Sequence, residues 1–375
     1  MVGGLTPAMR VAVAMPSFAA AGAERVCLEL VGGLLDDDVD VDVVVATDDG
    51  GLRGEVPPGA RTFVLGHRRV ALCLPRLVAY LRTQRPDALI SCLDHMNVLS
   101  IVAARLVRPR AWVMVTEHNT LSVSSRHSRD LRDKVMPLLI GVAYRGADRI
   151  VAVSDGVADD LARTARLPRR LIQTVYNPVH FERLATAASE PADHPWLSAG
   201  AGPVVLAAGR LIAQKDFPTL LRALALLPED VRLILLGEGQ DRPALERLVD
   251  DLGLAHRVDI HGFVENPYPY FRAADVFVLS SQWEGLPTVL IEALAFDTPI
   301  VATDCRSGPR EILEGGRFGR LVPVGEPEPM AAAIAAALAS PLSRPAGACD
   351  RYRLDTATRR YLDLLPAAAG ARTSR

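Results

Sequence analysis

The chain has 375 residues, 49% of them hydrophobic and 23% charged, with a formal net charge of −2. This length is more than one hydrophobic core organises and fits two domains of average size; the near-neutral balance excludes a nucleic-acid binder that displaces counterions from phosphates. Five cysteines, Cys27, Cys73, Cys92, Cys305 and Cys349, are scattered without any CxxC spacing, which fits a reducing cytoplasm and no zinc site.

Short β-branched apolar runs alternate with helical spacing from the start. Arg10–Pro16, Val41–Ala46, Arg61–Gly66, Ala88–Leu93, Ala111–Thr116 and Arg149–Ser154 read as strands, and Glu24–Leu35, Pro75–Arg85 and Ser128–Tyr144 as helices between them. After the Ala-, Ser-, Pro- and Gly-rich stretch Thr186–Gly202 the rhythm restarts, with strands at Val204–Ala208, Val231–Leu236, Val258–Gly262, Val276–Ser280 and Pro299–Thr303. The reading is α/β, with two doubly wound Rossmann-like domains facing a cleft: residues 1–185, residues 186–350, and a helical segment with tail, 351–375. No basic segment precedes an apolar one at the N-terminus, and no run approaches the roughly 20 apolar residues that span a bilayer, so neither a signal peptide nor a membrane span is expected.

Ligands of open parallel sheets bind beyond the carboxyl ends of the strands, and two segments there carry chemistry. In Ser280–Leu294, SSQWEGLPTVLIEAL, a strand end leads through Glu284 and a turn into a helix with Pro287 in its first turn and Glu292 inside it. The amides around Gly285, Leu286, Thr288 and Val289 can bind an anion, and a helical carboxylate such as Glu292 suits a ribose diol. The alternative is two solvated acids, which the apolar neighbours Ile291 and Ala293 make a poorer account of Glu292. In Ala207–Leu221, AAGRLIAQKDFPTLL, Arg210 offers a bidentate fork and Lys215 a point charge, a pair suited to a diphosphate. Lys215 is one of two lysines beside 40 arginines, which sets it apart from a generic surface cation. The acidic run Asp36–Asp38 follows a helix and reads as a solvated turn, so no DxD-like metal site is expected.

These residues resemble the retaining glycosyltransferases of family 4. The resemblance rests on the E(x)7E pair Glu284 and Glu292, on GRL(x)3K with Arg210 and Lys215, and on LLGEG at Leu235–Gly239. HGFVEN at His261–Asn266, YNPV at Tyr176–Val179 and SGPREIL at Ser307–Leu313 add to it. It implies the GT-B fold, a metal-independent reaction with retention at the anomeric carbon, and no cofactor. It implies donor-binding roles for Arg210, Lys215 and Glu292, contact of Glu284 with the transferred sugar, and the nucleotide base near Val264. In the first domain it implies a glycine loop at Ala19–Val26 with Gly22 near the phosphates, and an active-site role for His118 in TEHN. A nucleotide-sugar donor, by analogy a UDP-sugar, and a saccharide or polyprenyl-linked saccharide acceptor of polysaccharide or cell-envelope biosynthesis follow from the same resemblance.

Charge gives one physical clue to the acceptor. Arg61–Lys134 holds 13 Arg and Lys against 5 Asp and Glu, and Val70–Arg85 and Arg126–Tyr144 mix Arg with apolar residues as helices on an anionic membrane do. Ordinary amphipathic helices with Arg on the wet face are an equal reading. The expectation is a cytoplasmic protein, peripheral on the inner face of the cell membrane. A soluble acceptor, a nucleotide-sugar epimerase and a non-catalytic glycan-binding module remain as alternatives, though the last has no need of paired phosphate cations.

Overall fold

The computed structural model describes residues 9–19, 21–123, 131–198, 202–342 and 344–366. The chain forms two compact units, Met1–Pro178 with Arg351–Arg375, and Val179–Asp350.

The first unit is built on seven strands: β1 Arg10–Met15, β2 Asp40–Val45, β3 Arg61–Val64, β4 Ala88–Cys92, β5 Trp112–Glu117, β6 Arg149–Ala152 and β7 Ile172–Thr174. All neighbouring pairs are parallel, in the order β3-β2-β1-β4-β5-β6-β7. Parallel strands covered on both faces must be apolar along their length, and Val11–Met15 and Ala88–Ile90 are fully buried. The helices are α1 Gly22–Asp36, α2 Leu74–Gln84, α3 Asp94–Arg105, α4 Leu131–Ala143 and α5 Asp155–Thr164. At the end of α1 Asp36 and Asp37 give way to Asp38 at φ 58°, a turn as the acidic run suggested.

The second unit begins with α6 Phe181–Ala187. Its sheet comprises β8 Val204–Ala208, β9 Arg232–Leu236, β10 Val258–Gly262, β11 Val276–Leu279, β12 Ile300–Thr303 and β13 Arg320–Val322, in the order β10-β9-β8-β11-β12-β13. The helices α7 Phe217–Ala225, α8 Arg242–Asp251, α9 Tyr268–Ala273, α10 Thr288–Ala295, α11 Pro309–Ile312 and α12 Pro327–Ala339 complete it. The sequence places the division after residue 185, whereas the units divide after Pro178. Hydrogen bonds account for the shift: Asn266 Nδ2 donates to Ala187 O at 2.8 Å and Arg272 Nη1 to Ala188 O at 3.0 Å, which ties α6 to α9.

The chain then returns to the first unit as α13 Leu354–Leu364. Tyr361 and Leu365 enter the core formed by β1, β2 and α1. Thr358 lies against Gly33, where even a methyl group would collide with its hydroxyl. Two strands escaped the sequence reading, β7 and β13. Both are three residues long and lie at sheet edges, so neither carries the long apolar run that marks an inner strand.

Candidate active site

The loops after β8 and β11 lie side by side because those strands are neighbours in the sheet. The first loop makes a single 3-10 turn, Ala213–Lys215, and the second carries Glu284. Lys215 Nζ reaches Glu284 Oε1 at 2.6 Å, with the side chains 15% and 8% exposed. Ser281 Oγ donates to the same carboxylate oxygen at 2.7 Å. Ser280 Oγ donates to Lys215 O at 2.6 Å, Gln214 Nε2 to Trp283 O at 2.9 Å, and Gln282 N to Gln214 O at 2.8 Å. The two loops therefore form one hydrogen-bonded block, which fixes the ammonium and the carboxylate before any ligand arrives.

Glycines let the backbone close around this block. Gly237, at φ 140°, lies so near Gly209 that a side chain would strike the Gly209 carbonyl oxygen. Gly308, at φ 89°, supports the turn from the other side, where a Cβ would stand 2.5 Å from Pro287 Cδ and 3.0 Å from Gly285 O. Gly285 and Leu286 are buried in that turn. Pro287 is the N-cap of α10, with ψ 106°, and the helix itself starts at Thr288, so the proline lies just before the first turn in which the sequence places it. Cys305 lies close to the acid; burial first, then the Glu284 charge, pushes its thiol up to about 12, so it is inert.

Arg210 is exposed in the β8 loop and has no carboxylate partner among the described residues. Glu292 is half-buried on α10, and Val264 is half-buried in the loop after β10, two strands from β8. The structure thus joins Lys215 to Glu284 directly, puts Gly285 and Leu286 in the same turn, and places Arg210, Glu292 and Val264 on separate elements of the same unit.

In the first unit His118 directly follows β5. Thr116 Oγ1 donates to Ser91 O at 3.1 Å and so accepts from His118 Nε2 at 3.0 Å. Nε2 is therefore a donor, while Nδ1 is buried and has no hydrogen-bond partner among the described residues. Beneath it lies a network the sequence reading did not foresee. Asn97 Nδ2 donates to Thr116 O at 2.9 Å and to Glu117 Oε1 at 3.1 Å, and Tyr144 donates its hydroxyl to Glu117 Oε1. Burial, reinforced by the nearby Asp94, holds the Glu117 carboxyl well above its ordinary value, so it is neutral over a range where a carboxyl normally ionises.

Two cysteines meet the histidine. Cys27 lies on α1 and Cys92 ends β4, and one atom from each of Cys27, Cys92 and His118 lies within 4.8 Å of the others. A hydrogen bond from Cys27 holds the Cys92 thiol well below its ordinary value against the opposing effect of burial, and the same bond raises the thiol of Cys27. Gly22 is the exposed first residue of α1, with open space where a Cβ would stand, so nothing in the protein itself requires a glycine there.

Residues 20–183 match the family described as Glycosyltransferase Family 4, and residues 202–340 the family described as Glycosyl transferases group 1. Over 232 residues the chain is 32% identical to the N-acetylgalactosamine-N,N'-diacetylbacillosaminyl-diphospho-undecaprenol 4-alpha-N-acetylgalactosaminyltransferase of Campylobacter jejuni, covering 62% of this chain and 61% of that protein. It is 35% identical over 191 residues to the lipopolysaccharide core biosynthesis glycosyltransferase LpsE of Rhizobium meliloti, covering 51% and 54%. The matches thus span 61% and 54% of the length of these two curated relatives. Among solved structures, Anabaena HepE in complex with UDP superposes with a TM-score of 0.79 at 20% identity over 95% of this chain and 99% of that one. The lipopolysaccharide outer core galactosyltransferase WaaB gives 0.72 at 18%, over 95% and 99%. At these identities the likeness establishes the fold, two Rossmann-like domains of the GT-B type.

Proposed function

Because the chain belongs to the family 4 glycosyltransferases, with one family model matching within each half of it, we propose that it transfers a sugar from a nucleotide-sugar to a lipid-linked or growing saccharide, retaining the anomeric configuration without a metal ion. The observation that carries this reading is the Lys215–Glu284 pair at the carboxyl ends of β8 and β11, with Arg210 exposed in the same β8 loop and without a carboxylate partner among the described residues. Arg210 and Lys215 hold the donor diphosphate and stabilise the charge that builds on it as it leaves, the task a divalent cation performs elsewhere. Glu284, shared between Lys215 and the sugar, accepts hydrogen bonds from sugar hydroxyls, and Glu292 takes the ribose diol. Gly285 and Leu286 supply backbone contact, and the base lies near Val264.

In the proposed step the acceptor oxygen attacks the anomeric carbon on the face from which the phosphate departs. The bond from that carbon to the phosphate oxygen breaks as the new glycosidic bond forms, and the acceptor proton passes to the departing phosphate oxygen. No enzyme nucleophile is needed. His118 Nδ1, buried and without a hydrogen-bond partner among the described residues, is suited to a hydroxyl of the donor sugar, and Gly22 leaves room for the phosphates.

For the donor, a UDP-sugar is favoured by the UDP held in the Anabaena structure. For the acceptor, the diphospho-undecaprenol named in the Campylobacter relative favours a polyprenyl-linked saccharide. The surface of α4 agrees with a membrane acceptor: Val135, Leu138, Leu139 and Val142 are all exposed on one face, Leu138 and Val142 at 71% and 70%, with Lys134 and Arg145 exposed at the ends. Among the described residues no helix is long and apolar enough to cross a membrane, so the proposed contact is peripheral, at the inner face of the cell membrane. A soluble acceptor is the second reading, favoured by a 28% identical relative, the alpha-D-kanosaminyltransferase of Streptomyces kanamyceticus.

The test is thermal denaturation with UDP, GDP, ADP and their sugars in EDTA, followed by transfer to undecaprenyl-diphospho-saccharides. Stabilisation by one nucleotide, about 2.7 kcal/mol at one hundred times its dissociation constant, and its loss in Lys215→Ala support the donor site. No stabilisation by any of them overturns it.

A further inference from the structure

Cys27, Cys92 and His118 are far apart in the sequence and come together through the packing of the first unit. Cys92 of β4 stands in register with Thr116 of β5, and His118, two residues beyond Thr116, returns to the same side of the strand. Helix α1 covers that side and brings Cys27 down onto Cys92; both sulfurs belong to the same buried core. The result is two thiols and an imidazole, all buried, each offering one donor atom within 4.8 Å of the other two.

This donor set is chemically specific. Two sulfurs and an imidazole suit a thiophilic ion with tetrahedral preference and not magnesium or calcium, which take oxygen ligands. The ring's own contacts also fit, for Nε2 is held by Thr116 while the buried Nδ1 has no hydrogen-bond partner among the described residues. A metal-bound histidine commonly gives its second ring N–H to a fixed acceptor in this way. The contrast with a second cluster of similar composition is instructive. His194 and His261 both contact Asp259 Oδ2 at 2.9 Å, but His194 Nδ1 already accepts from Trp196 N at 3.1 Å. His194 Nε2 must then carry the proton that Asp259 accepts, and its lone pair is spent. That cluster is a hydrogen-bonded clamp.

We propose that Cys27, Cys92 and His118 form a binding site for Zn2+, and that a bound ion takes His118 out of sugar transfer. Binding displaces to solvent whatever protons the two sulfurs hold and forms two Zn–S bonds and one Zn–N bond, with no change of oxidation state. Three protein ligands leave the fourth position for water. The site would be inhibitory, because the imidazole assigned above to the donor sugar is the one the ion holds. This second half rests on the transferase reading; the binding half does not.

The test is titration of the metal-free full chain with Co2+, a spectroscopic stand-in for zinc, with a non-chelating reductant present. A thiolate-to-cobalt charge-transfer band saturating at one ion per chain, displaced by Zn2+, absent in Cys27→Ser/Cys92→Ser and retained in Cys73→Ser, is the expected result. No band, or a band that survives the double substitution, overturns the site. Should the double variant fail to fold by circular dichroism, His118→Ala serves instead, and an unchanged cobalt spectrum there overturns the assignment equally. Sugar transfer, once detected in EDTA, should fall at least tenfold when Zn2+ saturates the site and recover on chelation; undiminished turnover at saturation overturns the inhibitory role. Absence of transfer in EDTA would count against the transferase reading alone, since the cobalt titration needs no donor.

Discussion

Lys215 Nζ stands 2.6 Å from Glu284 Oε1, and neither side chain is more than 15% exposed. Removing two charges from water costs free energy that their attraction often fails to recover, so such a pair is weak evidence of a stability device. Its position at the carboxyl ends of two adjacent strands points to a ligand. Lys215→Ala should therefore act twice, lowering kcat/KM about 10²–10³-fold as loss of a charge-stabilising donor does, and lowering the melting temperature by leaving Glu284 buried without its cation. Steady-state kinetics and calorimetry read the two effects separately. A fall in kcat/KM below tenfold would remove Lys215 from the mechanism.

Glu117 yields a pH prediction with a definite sign. Burial raises its folded-state value above the ordinary 4.5, so the folded protein binds a proton that the unfolded chain releases. The favourable contribution of that proton is complete below the unfolded value and is lost as pH rises toward the folded one. Glu117→Gln keeps the shape and never ionises. Its stability relative to wild type should grow as pH rises from about 5 toward neutrality; denaturant melts at a series of pH values that run parallel for the two proteins would contradict this.

Tyr144→Phe removes the hydroxyl that Glu117 accepts from, in a place no water reaches readily. The expected cost is about 1–3 kcal/mol, the penalty for leaving a buried polar group short of a partner. Because Asn97 in the same network holds the backbone just before His118, the donor-sugar KM should rise along with it, whereas UDP affinity stays as it is.

Two glycines should respond in opposite ways. Gly237→Ala forces a side chain into φ 140° and against the Gly209 carbonyl, and ought to destabilise by more than 1 kcal/mol. Gly22→Ala meets open space at a helix start and should leave the ligand-free melting temperature unchanged or slightly raised, while weakening nucleotide-sugar binding. Were donor affinity unaffected, Gly22 would not lie near the phosphates.

Leu138 and Val142 are among the most exposed apolar side chains described. Leu138→Ser/Val142→Ser should melt like the wild type, since surface substitutions are usually within about 0.5 kcal/mol, and should fail to co-sediment with anionic lipid vesicles. Equal sedimentation of both proteins would remove this face from membrane contact, and failure of the wild type itself to sediment would favour the soluble acceptor.

How much of this could be read from the residues follows from which signals are local. The inner strands were legible because a strand buried on both faces is a continuous apolar run, while β7 and β13, short and at sheet edges, carry too few residues for a pattern. Lys215 and Glu284 were legible as types at fixed offsets from strand ends, and the rarity of lysine marked one of them. The Cys27–Cys92–His118 meeting was not, because it depends on the register of β4 against β5 and on where α1 lands. The same holds for Asn97, Glu117 and Tyr144, each unremarkable within its own stretch of sequence.

The return of α13 to the first unit bears on how the protein is made. Tyr361 and Leu365 fill the core beside β1 and α1, yet they leave the ribosome only after the whole of Val179–Asp350. Domains that are continuous in sequence can fold in turn during synthesis. Here the unit translated first must wait with an open core until the second has emerged, so the nascent chain exposes apolar surface for most of its elongation, and the second unit is the one able to fold on schedule.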